Sequence, residues 1–376
     1  MKAGWDECRL GELCAIRNGK SNTEDAVADG AYAFFDRSKS IKRSSRYLYD
    51  CEALIIPGEG TEFLPRHFVG KFDLHQRAYA LHGFSGRIDV KYLFHYLVFF
   101  KDYFPRVAVG ATVKSLRMRH FEQLPVLVPR LEEQRRIVAI LDEAFDGIAA
   151  AKANAEKNLR NAREVFESSL STAFAKLERD SPTARAMDLC TRITVGHVGS
   201  MAAEYKADGI PFLRSQNIRP FSVSLDNVVY IDKKFHASLG KSRLLPGDLA
   251  IVRTGYPGTA AVIPDWLGEA NCSDLVIVRC KPGVDPNFLA LFFNSSFGKE
   301  LVAGRLVGAA QKHFNVTAAK EVLVPDLPIV EQQAVVARFD ALREATTELE
   351  TVYHRKLTAL ESLKASLLHQ AFTGNL

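Results

Sequence analysis

The chain has 376 residues, of which 47% are hydrophobic and 25% are charged, an ordinary balance for a globular protein with two to four cored units. It contains no run of about eighteen apolar residues, and its start, MKAGWDECRL, lacks the apolar segment of a secretory signal. A cytoplasmic protein without a membrane span is therefore expected. The formal net charge of +5 permits a polyanionic partner without requiring one.

The first half opens with short β-branched and aromatic runs bounded by turn residues, which predicts an α/β module with a strand at residues 53–56. A short apolar helix is expected near Tyr92, and an extended VLVP segment follows at residues 126–129. From Leu131 to about Ala175 there is no proline and one glycine, and strong helix formers dominate. This composition predicts one long helix.

The second half repeats this plan, with strands expected at 248–255 and 274–280 and an apolar helix near Asn287. An offset of 198 residues places the Glu-Gln pair at 133–134 on that at 331–332, and the Ala-Phe pair at 173–174 on that at 371–372. A two-residue deletion upstream would place VLVP at 126–129 on VLVP at 322–325. The sequence therefore predicts a module at 1–125, a long helix at 126–178, a second module at 179–321 and a second long helix at 322–376.

Apolar residues recur along each helix in the steps of three and four that are typical of a coiled coil. The predicted seams are Leu141, Ala144, Ile148, Ala151, Ala155, Ala162 and Val165 in the first helix, and Phe339, Leu342, Thr346, Leu349, Tyr353, Leu360 and Leu363 in the second. Small residues in one seam complement large ones in the other, which favours close packing. The expected fold class is α/β (α+β), with two globular domains separated by two long antiparallel helices and a pseudo-two-fold internal repeat. The alternative is two core helices of one large α/β protein.

Sequence motifs for catalysis are missing. The six cysteines form no Cys-x-x-Cys pair, which predicts reduced thiols, and no His, Cys and carboxylate cluster has metal-ligand spacing. There is no Asn/Asp-Pro-Pro-Tyr/Phe loop and no Gly-x-Ser-x-Gly elbow. NGKS at residues 18–21 lacks the upstream glycine of a phosphate-binding loop, because that position is Cys14. We therefore expect no catalytic residue, no metal and no cofactor on this chain.

Two divergent modules, each followed by a helix that opens VP…EQ…IV…LD, together with the C-terminal LKASLLHQAFTGNL, resemble the specificity (S) subunit of type I DNA restriction-modification systems, the HsdS family. GKFDLHQRAYAL at 70–81, GATVKSLR at 110–117 and GAAQKHFN at 308–315 are similar to segments of that family. The resemblance covers essentially the whole chain, and it is stronger in the helices than in the modules.

This resemblance implies a subunit that performs no chemistry. Each of two target-recognition domains would bind one half of a bipartite, asymmetric site in double-stranded DNA. The paired helices would set the spacing of the halves and dock two methyltransferase (M) subunits, with motor-nuclease (R) subunits joining the complex. S-adenosylmethionine is then expected on the methyltransferase subunit.

Candidate DNA-binding side chains lie in four kinds of segment. DRSKSIKRSSRYLY at 36–49 interleaves five cations with hydroxyl groups, and RSQNIRPF at 214–221 offers an arginine and two amides that bond guanine or adenine bidentately. The others are the loop before each VLVP, the turn RTGYPGT at 253–259 and HQR at 75–77. The predicted DNA-binding residues are Arg37, Lys39, Lys42, Arg43, Arg46, Arg77, Lys114, Arg117, Arg214, Gln216, Asn217, Arg253, Lys312, His313 and Asn315.

Other interpretations stay open at this point. Taken alone, the basic run is equally explained as a solvated loop, but the matching stretch at 214–221 favours DNA contact. RTGYPGT is equally explained as an ordinary hairpin turn, and Arg77 as an inward structural arginine. For the whole chain, the alternatives are a non-catalytic coiled-coil scaffold whose modules bind proteins, and an enzyme of unknown chemistry.

Overall fold

The computed structural model of the chain describes residues 4–201, 203–306 and 313–376. It divides into two compact units, the first comprising Met1–Glu156 with Arg355–Leu376 and the second Lys157–His354. Within the described ranges, every helix is too short or too polar to cross a membrane. The predicted fold class, an α/β (α+β) protein with two globular domains and two long helices, is confirmed. The domain boundaries given above stay predictions.

The first unit is built on one six-stranded sheet with the order β2-β7-β5-β6-β3-β4, in which β3 and β6 are parallel and the other neighbours antiparallel. A two-stranded ribbon of β1 and β8 brings the module's ends together. The elements are β1 Asp6–Arg9, α1 Leu10–Leu13, β2 Ala15–Asn18, β3 Tyr32–Phe35, β4 Lys42–Ser44, β5 Tyr49–Pro57, β6 Arg66–Leu74, β7 Ala78–His82, α2 Val90–Phe99, α3 Tyr103–Val107, α4 Met118–Glu122, β8 Pro125–Val128 and the start of α5 Leu131–Asp180.

The second unit contains two four-stranded sheets, β10-β19-β16-β17 and β14-β11-β18-β15, and the ribbons β12-β13 and β20-β9. Its remaining elements are helices. The bounds are β9 Thr183–Arg185, α6 Ala186–Leu189, β10 Cys190–Val195, β11 Ile210–Leu213, β12 Ile218–Arg219, β13 Ser222–Val223, β14 Val229–Ile231, α7 Lys233–Ser238, β15 Arg243–Leu244, β16 Leu249–Val252, β17 Ala260–Val262, β18 Ala270–Cys272, β19 Leu275–Cys280, α8 Pro286–Asn294, α9 Ser296–Ala303, α10 Val316–Lys320, β20 Leu323–Pro325 and α11 Ile329–Thr373.

The two modules share one strand order. The long strand β5 of the first module corresponds to β15 and β16 of the second, and β6 corresponds to β17 and β18. A turn with Gly247 at φ +83° separates β15 from β16, and Pro264 with a short 3-10 helix separates β17 from β18. Because proline and a left-handed glycine interrupt the strand ladder, the single sheet of the first module becomes two sheets in the second.

Equivalent backbone hydrogen bonds extend the duplication into the modules. His75 N–H donates to Phe35 O at 2.9 Å, and Ser273 N–H, 198 residues later, donates to Leu213 O at 3.0 Å. Beside the ribbons, Leu10 N–H donates to Leu124 O at 2.9 Å and Ala186 N–H donates to Val322 O at 2.8 Å.

The predicted two-residue deletion around the second VLVP is wrong. In the ribbons, Arg9 pairs with Pro125 and Arg185 pairs with Leu323, so the 198-residue offset continues through this segment. The two VLVP segments therefore occupy structural positions that differ by two residues. A shift by two keeps the apolar side chains on the same face of a strand, since side chains alternate with a period of two. The sequence pattern alone could not reveal it.

The repeated Glu-Gln pair carries a buried glutamine that joins each long helix to its module. Gln134 accepts a hydrogen bond from Asp89 N–H at 2.7 Å, and its amide donates to the carbonyls of Arg87 and Pro129 at 2.9 and 2.7 Å. Asp89 is the N-cap of α2, so the start of α5 and the start of α2 are held together. Both glutamines are almost completely buried, Gln134 at 0% and Gln332 at 3% exposed.

Gln332 repeats the arrangement in the second unit. It accepts from Asp285 N–H at 2.8 Å and donates to Leu327 O at 2.8 Å and Gly283 O at 3.4 Å, and Asp285 is the N-cap of α8. A buried amide with all three of these bonds formed tolerates few other side chains. This explains why the same helix entrance occurs twice.

The repeated Ala-Phe pair packs each module against the end of the other copy's helix. In the first unit, Phe372 of α11 is 2% exposed and its ring lies 5.4, 5.2 and 5.4 Å from the rings of Tyr92, Tyr96 and Phe99. In the second unit, Phe174 of α5 lies 5.3 and 5.6 Å from Phe288 and Phe292. Each module therefore packs on the start of one long helix and the end of the other.

The long helices run antiparallel within each unit. In the first, Lys152 pairs with Glu361 at 3.3 Å and Lys364 lies over the ring of Phe145 at 4.8 Å. In the second, Arg163 binds Glu350 at 3.1 Å, while the rings of Phe166 and Phe339 are 6.2 Å apart.

The predicted seam is wrong at three positions. Val165, Leu349 and Leu363 are 54%, 47% and 48% exposed, and Phe166 is half-buried where Val165 was expected to be. An α-helix with 3.6 residues per turn drifts from a strict 3.5-residue repeat, so the buried face moves by one residue along helices of this length.

Candidate nucleic-acid interface

Four segments of the first module converge on Glu59, and we call this group the Glu59 cluster: residues 36–41 after β3, 58–65 after β5, 75–77 between β6 and β7, and 109–117 before α4. Arg37 lies 3.8 Å from one carboxylate oxygen of Glu59, while Arg77 and Ser115 donate to the other. Backbone bonds close the cluster, from Gly60 N–H to Lys114 O at 3.0 Å and from Leu116 N–H to Gly58 O at 2.7 Å.

The cations of the Glu59 cluster face solvent although the carboxylate beneath them is largely covered. The side chains of Arg37 and Arg77 are 63% and 61% exposed, and that of Glu59 is 11% exposed. Lys39 is 89% exposed and pairs with Glu62 at 2.9 Å, and a cleft of about 450 Å³ opens beside these residues. Exposed ion pairs contribute only about 0–1 kcal/mol, so these cations can turn to a phosphate or a base edge at little cost.

Lys114 and Arg117 are exposed on the segment before α4, which belongs to the same cluster. Arg117 occupies the N-cap position of α4. Sequence-predicted candidates from three separate segments, Arg37, Arg77 and the pair on residues 109–117, are therefore brought together by the fold.

Lys42 and Arg43 lie on strand β4, and Arg46 lies just after it, rather than in one continuous loop. Lys42 pairs with Asp36 at 2.6 Å, and Arg43 donates from Nε to Gly30 O at 2.8 Å. Burial would raise the pKa of Asp36, but hydrogen bonds from Lys42 and Ser38 outweigh it and hold that pKa below its usual value.

Arg46 donates to Ser21 and Asp25 at 3.0 Å each. Lys42, Arg43 and Arg46 thus stabilise the edge of the sheet at β4, although 60% of the Arg46 side chain is exposed.

The second module places the equivalent segments around Asp274, and we call this group the Asp274 cluster: residues 214–217, 253–259, 273–274 and 313–315. The Arg253 guanidinium lies 3.6 Å from the Asp274 carboxylate, and Thr254 donates its hydroxyl to the same carboxylate. Ser215 donates to the Asp274 carbonyl at 3.3 Å.

Phe314 N–H donates to Arg253 O at 3.0 Å, as Leu116 N–H does to Gly58 O in the first module, and Phe314 and Leu116 are again 198 residues apart. The same four segments thus meet in both modules, but they present different side chains.

Asn217 is a correction to the predicted DNA-binding set. Its side chain is 0% exposed, it accepts from Arg214 N–H at 3.0 Å, and its amide donates to the carbonyls of Ser224 and Asp226 at 3.0 and 3.2 Å. A side chain with its amide bonds used inside the module cannot reach a base, so Asn217 shapes the segment rather than reading DNA.

The other candidates of the second module differ in exposure and in the hydrogen bonds that hold them. Arg253 is 15% exposed and donates to Phe314 O at 3.2 Å, while Asn315 caps α10 by accepting from Ala318 N–H at 2.7 Å. Both are largely used in holding the cluster together. Gln216 is exposed and donates to Asn227 O at 3.3 Å, and Arg214 donates to the same carbonyl at 2.7 Å. Arg214 and His313 are half-buried. Lys312 lies outside the described residues.

Sequence reasoning missed Glu59 and Asp274, the acidic residues on which the clusters are built, and Tyr256, which is 83% exposed at the tip of the turn between β16 and β17. Each acid sits beside a glycine or another turn residue, which is a weak signal. Their partners lie 15 to 60 residues away in sequence, and the contact appears only once the strand order is known.

A metal site and a phosphate-binding loop are two alternatives on which the described residues bear. Among them, no three His, Cys, Asp or Glu side chains come close enough to hold a metal ion. Gly19 of NGKS lies where the backbone crosses β6, because a Cβ there would meet Leu74 O at 1.8 Å. The glycine of NGKS is therefore required by this close approach, not by a bound phosphate.

The fold and the two clusters define a class of protein: a duplicated α/β module and long helix, with a basic and amide-bearing surface on each module suited to double-stranded DNA. Residues 2–159 match the family model of the type I restriction modification DNA specificity domain. Residues 2–159 thus carry such a domain, and the chain is similar to the specificity subunits of type I restriction-modification systems, the HsdS family.

Relatives resemble the chain over most of its length. It is 20% identical to the type I restriction enzyme EcoDI specificity subunit of Escherichia coli, over 100% of this chain and 89% of that protein. It is 22% identical to the StySPI specificity subunit of Salmonella potsdam, over 96% and 81%.

Two solved structures share the fold. One belongs to a study of the structural basis underlying complex assembly and conformational transition of the type I R-M system. Its TM-score is 0.78 at 16% identity, and the match covers 100% of this chain and 99% of that one. The other is the HsdS subunit from Thermoanaerobacter tengcongensis, with a TM-score of 0.61, 15% identity and coverage of 100% and 98%.

Proposed function

We propose that this chain is the DNA sequence-specificity subunit of a type I restriction-modification complex, in which each module reads one half of a bipartite site. The observation that carries the proposal is the pair of clusters. Both form from the same four segments on the same strand order, yet the first presents Arg37, Arg77 and Lys114 where the second presents Gln216, His313 and Tyr256. One scaffold with two different reading surfaces suits a site with two different halves.

The chemistry of the clusters fits DNA in two ways. Exposed guanidinium and ammonium groups neutralise phosphates, and arginine and glutamine bond base edges in the major groove bidentately. The exposed ion pairs with the acids beneath them are weak, so the arginine side chains can exchange them for a DNA contact at little cost.

The proposals on catalysis, assembly and cofactor rest on the similarity to this family. The chain itself is non-catalytic, it assembles with two methyltransferase subunits and through them with motor-nuclease subunits, and S-adenosylmethionine binds to the methyltransferase. The complex acts in the cytoplasm, where its DNA substrate lies. α5 and α11, of 50 and 45 residues, dock the methyltransferases and set the spacer between the half-sites.

The spacer role is tested by lengthening both helices. Seven residues inserted after Glu156 and seven after His354, at the boundaries of the compact units, add about 10 Å of helix at 1.5 Å per residue. The methylated site should gain about three base pairs of spacer at about 3.4 Å each. An unchanged spacer would remove the helices from this role.

DNA reading is tested by titrating the chain, assembled with its methyltransferase, against a duplex that carries the methylated sequence and against a scrambled duplex, at rising salt. Preference for the first duplex and a steep negative salt slope support the proposal. Equal, salt-insensitive affinity for both duplexes would favour the protein-binding scaffold.

The Glu59 cluster is tested by Arg37→Ala with Lys39→Ala. Loss of two phosphate contacts should lower the salt slope by about 1.8, at about 0.9 per phosphate, and a lost bidentate base contact should cost about 1–3 kcal/mol. The matched control is Lys71→Ala with Arg87→Ala, which removes the same charge from side chains 45% and 57% exposed that lie outside the cluster. Equal effects of the two double variants would remove the cluster from the interface.

A further inference from the structure

Tyr256 is displayed at the tip of a short turn that belongs to the Asp274 cluster. Its side chain is 83% exposed, the highest fraction among the exposed large hydrophobic residues of the described chain. The turn joins β16 to β17 and reads Thr-Gly-Tyr-Pro-Gly at residues 254–258. A large ring left in water contributes nothing to the core, and its aromatic face is open to a partner.

The turn fixes the backbone at Tyr256. Tyr256 N–H donates to Thr254 O at 3.1 Å, and Thr259 N–H donates back to Tyr256 O at 3.2 Å. Gly255 and Gly258 have φ of +81° and +90°, values that glycine adopts without strain, and a proline follows the tyrosine. The backbone conformational entropy of the turn is therefore already lost before any partner binds.

The base of the turn is fastened to the rest of the cluster. Gly258 N–H donates to Val252 O at 3.1 Å, and the Thr254 hydroxyl donates to the Asp274 carboxylate, which also faces the Arg253 guanidinium at 3.6 Å. The turn that carries the ring therefore belongs to the same cluster of segments as Gln216 and His313. An exposed aromatic residue in a cluster with polar side chains suits a DNA duplex, whose stacked bases are flat and apolar and whose backbone is charged.

We infer that Tyr256 is a base-stacking residue of the second module, whose ring inserts at a base step of the half-site that this module reads. The inference rests on the proposed function and adds a mode of contact to it. An inserted side chain partly unstacks and kinks the duplex, and flexible pyrimidine–purine steps accept this most easily. The second half-site should therefore contain such a step where the ring enters.

The first module lacks this device. Its equivalent turn after β5 begins at Gly58, which occupies the place of Arg253 in the shared hydrogen bond, and continues as Glu-Gly-Thr at residues 59–61. Without an aromatic residue at the tip, the first module should leave its half-site stacked. The inference thus predicts that unstacking at steps other than the methylated base is confined to one half of the site.

Trp266 supplies a matched control. It is an exposed aromatic residue of the same unit, at 63%, and lies in the short 3-10 helix Asp265–Leu267 that follows β17. β17 runs from the Tyr256 turn toward that helix, so the two rings are at opposite ends of one strand. Trp266→Ala removes an exposed ring without touching the Asp274 cluster.

The experiment uses the chain assembled with its methyltransferase and a 40-base-pair duplex that carries the site mapped from methylated DNA, with 2-aminopurine placed at successive steps of the second half-site. Wild-type complex should raise 2-aminopurine fluorescence at one step other than the base that the methyltransferase extrudes, as the probe base unstacks. Tyr256→Ala should abolish that rise and weaken binding about 5- to 150-fold, the range that corresponds to loss of one base–aromatic stack. Tyr256→Phe should retain both signals, because the ring does the stacking, and Trp266→Ala should match the wild type.

Four results would overturn the inference: no fluorescence rise at any step of the second half-site in the wild-type complex, wild-type behaviour of Tyr256→Ala, failure of Tyr256→Phe, or loss of methyltransferase assembly by Tyr256→Ala without DNA. The first does not depend on any variant folding. If the proposed function itself is wrong, the wild-type complex should instead bind the mapped and scrambled duplexes equally.

Discussion

Replacing Gln332 with alanine should destabilise the second unit far more than the same change at its neighbour Gln333. Gln332 is 3% exposed and makes three hydrogen bonds to backbone groups, at 2.8, 2.8 and 3.4 Å, whereas Gln333 on the same turn of α11 is exposed. Each net hydrogen bond contributes about 1 kcal/mol, and an orphaned buried partner such as Asp285 N–H costs about 1–3 kcal/mol. Part of this is offset by the side-chain entropy that alanine does not lose.

The net loss for Gln332→Ala is therefore about 2–4 kcal/mol, while a surface change such as Gln333→Ala stays within about 0.5 kcal/mol. For a unit of this size, about 2–4 °C per kcal/mol, the first variant should melt about 4–16 °C lower. Thermal unfolding gives the shift, and hydrogen exchange of the Asp285 amide should accelerate only in Gln332→Ala. Equal melting temperatures for the two variants would refute the view that the buried glutamine fastens the helix to its module.

Other substitutions and pH test the packing of the units. Phe372→Ala, which removes a ring packed among Tyr92, Tyr96 and Phe99, should cost about 3–5 kcal/mol in urea unfolding, and a loss below about 1 kcal/mol would contradict that packing. Arg279→Ala leaves the Asp248 carboxylate, 2% exposed, without its two 2.7 Å bonds and should cost about 3–5 kcal/mol, whereas Arg243→Ala, from an exposed pair with Glu269, should cost less than about 1 kcal/mol. Burial lowers the pKa of His95, although the bond to Asp142 opposes it, so the unfolded chain takes up a proton first and stability should fall as pH drops below about 6.5. His95→Gln should reduce that slope without abolishing it, since His75, His82 and His120 have pKa values lowered by burial too, and an unchanged slope in urea midpoints between pH 5 and 7 would exclude His95.

The sequence predicted the duplication and the long helices well because both depend on local patterns. The Gln134 and Phe174 motifs recur at one offset, and helix-forming composition over 45 residues or more is hard to misread. It failed where a pattern has more than one solution. Strand side chains alternate with a period of two, so the VLVP pattern fits two registers equally well. Helix repeats of 3.5 and 3.6 residues differ too little for the sequence to place Phe166 in the seam.

The candidate site was predictable only in part. Basic and amide residues marked the right segments, but the sequence could not show that Arg37, Arg77 and Lys114 meet at Glu59, because that depends on the strand order. Nor could it separate Gln216, which is exposed with one bond to Asn227 O, from its neighbour Asn217, which is buried with its amide bonded to two backbone carbonyls. Side-chain types indicate chemistry, whereas burial decides which of them remains available to DNA.

The measurement that tests the central claim most directly is a module exchange followed by mapping of methylated bases. Residues 1–125 are replaced by the matching module of another specificity subunit, and the hybrid is expressed with the methyltransferase. One half of the methylated sequence should change while the other half and the spacer stay the same. A change in both halves, or in neither, would contradict the assignment of one half-site to each module.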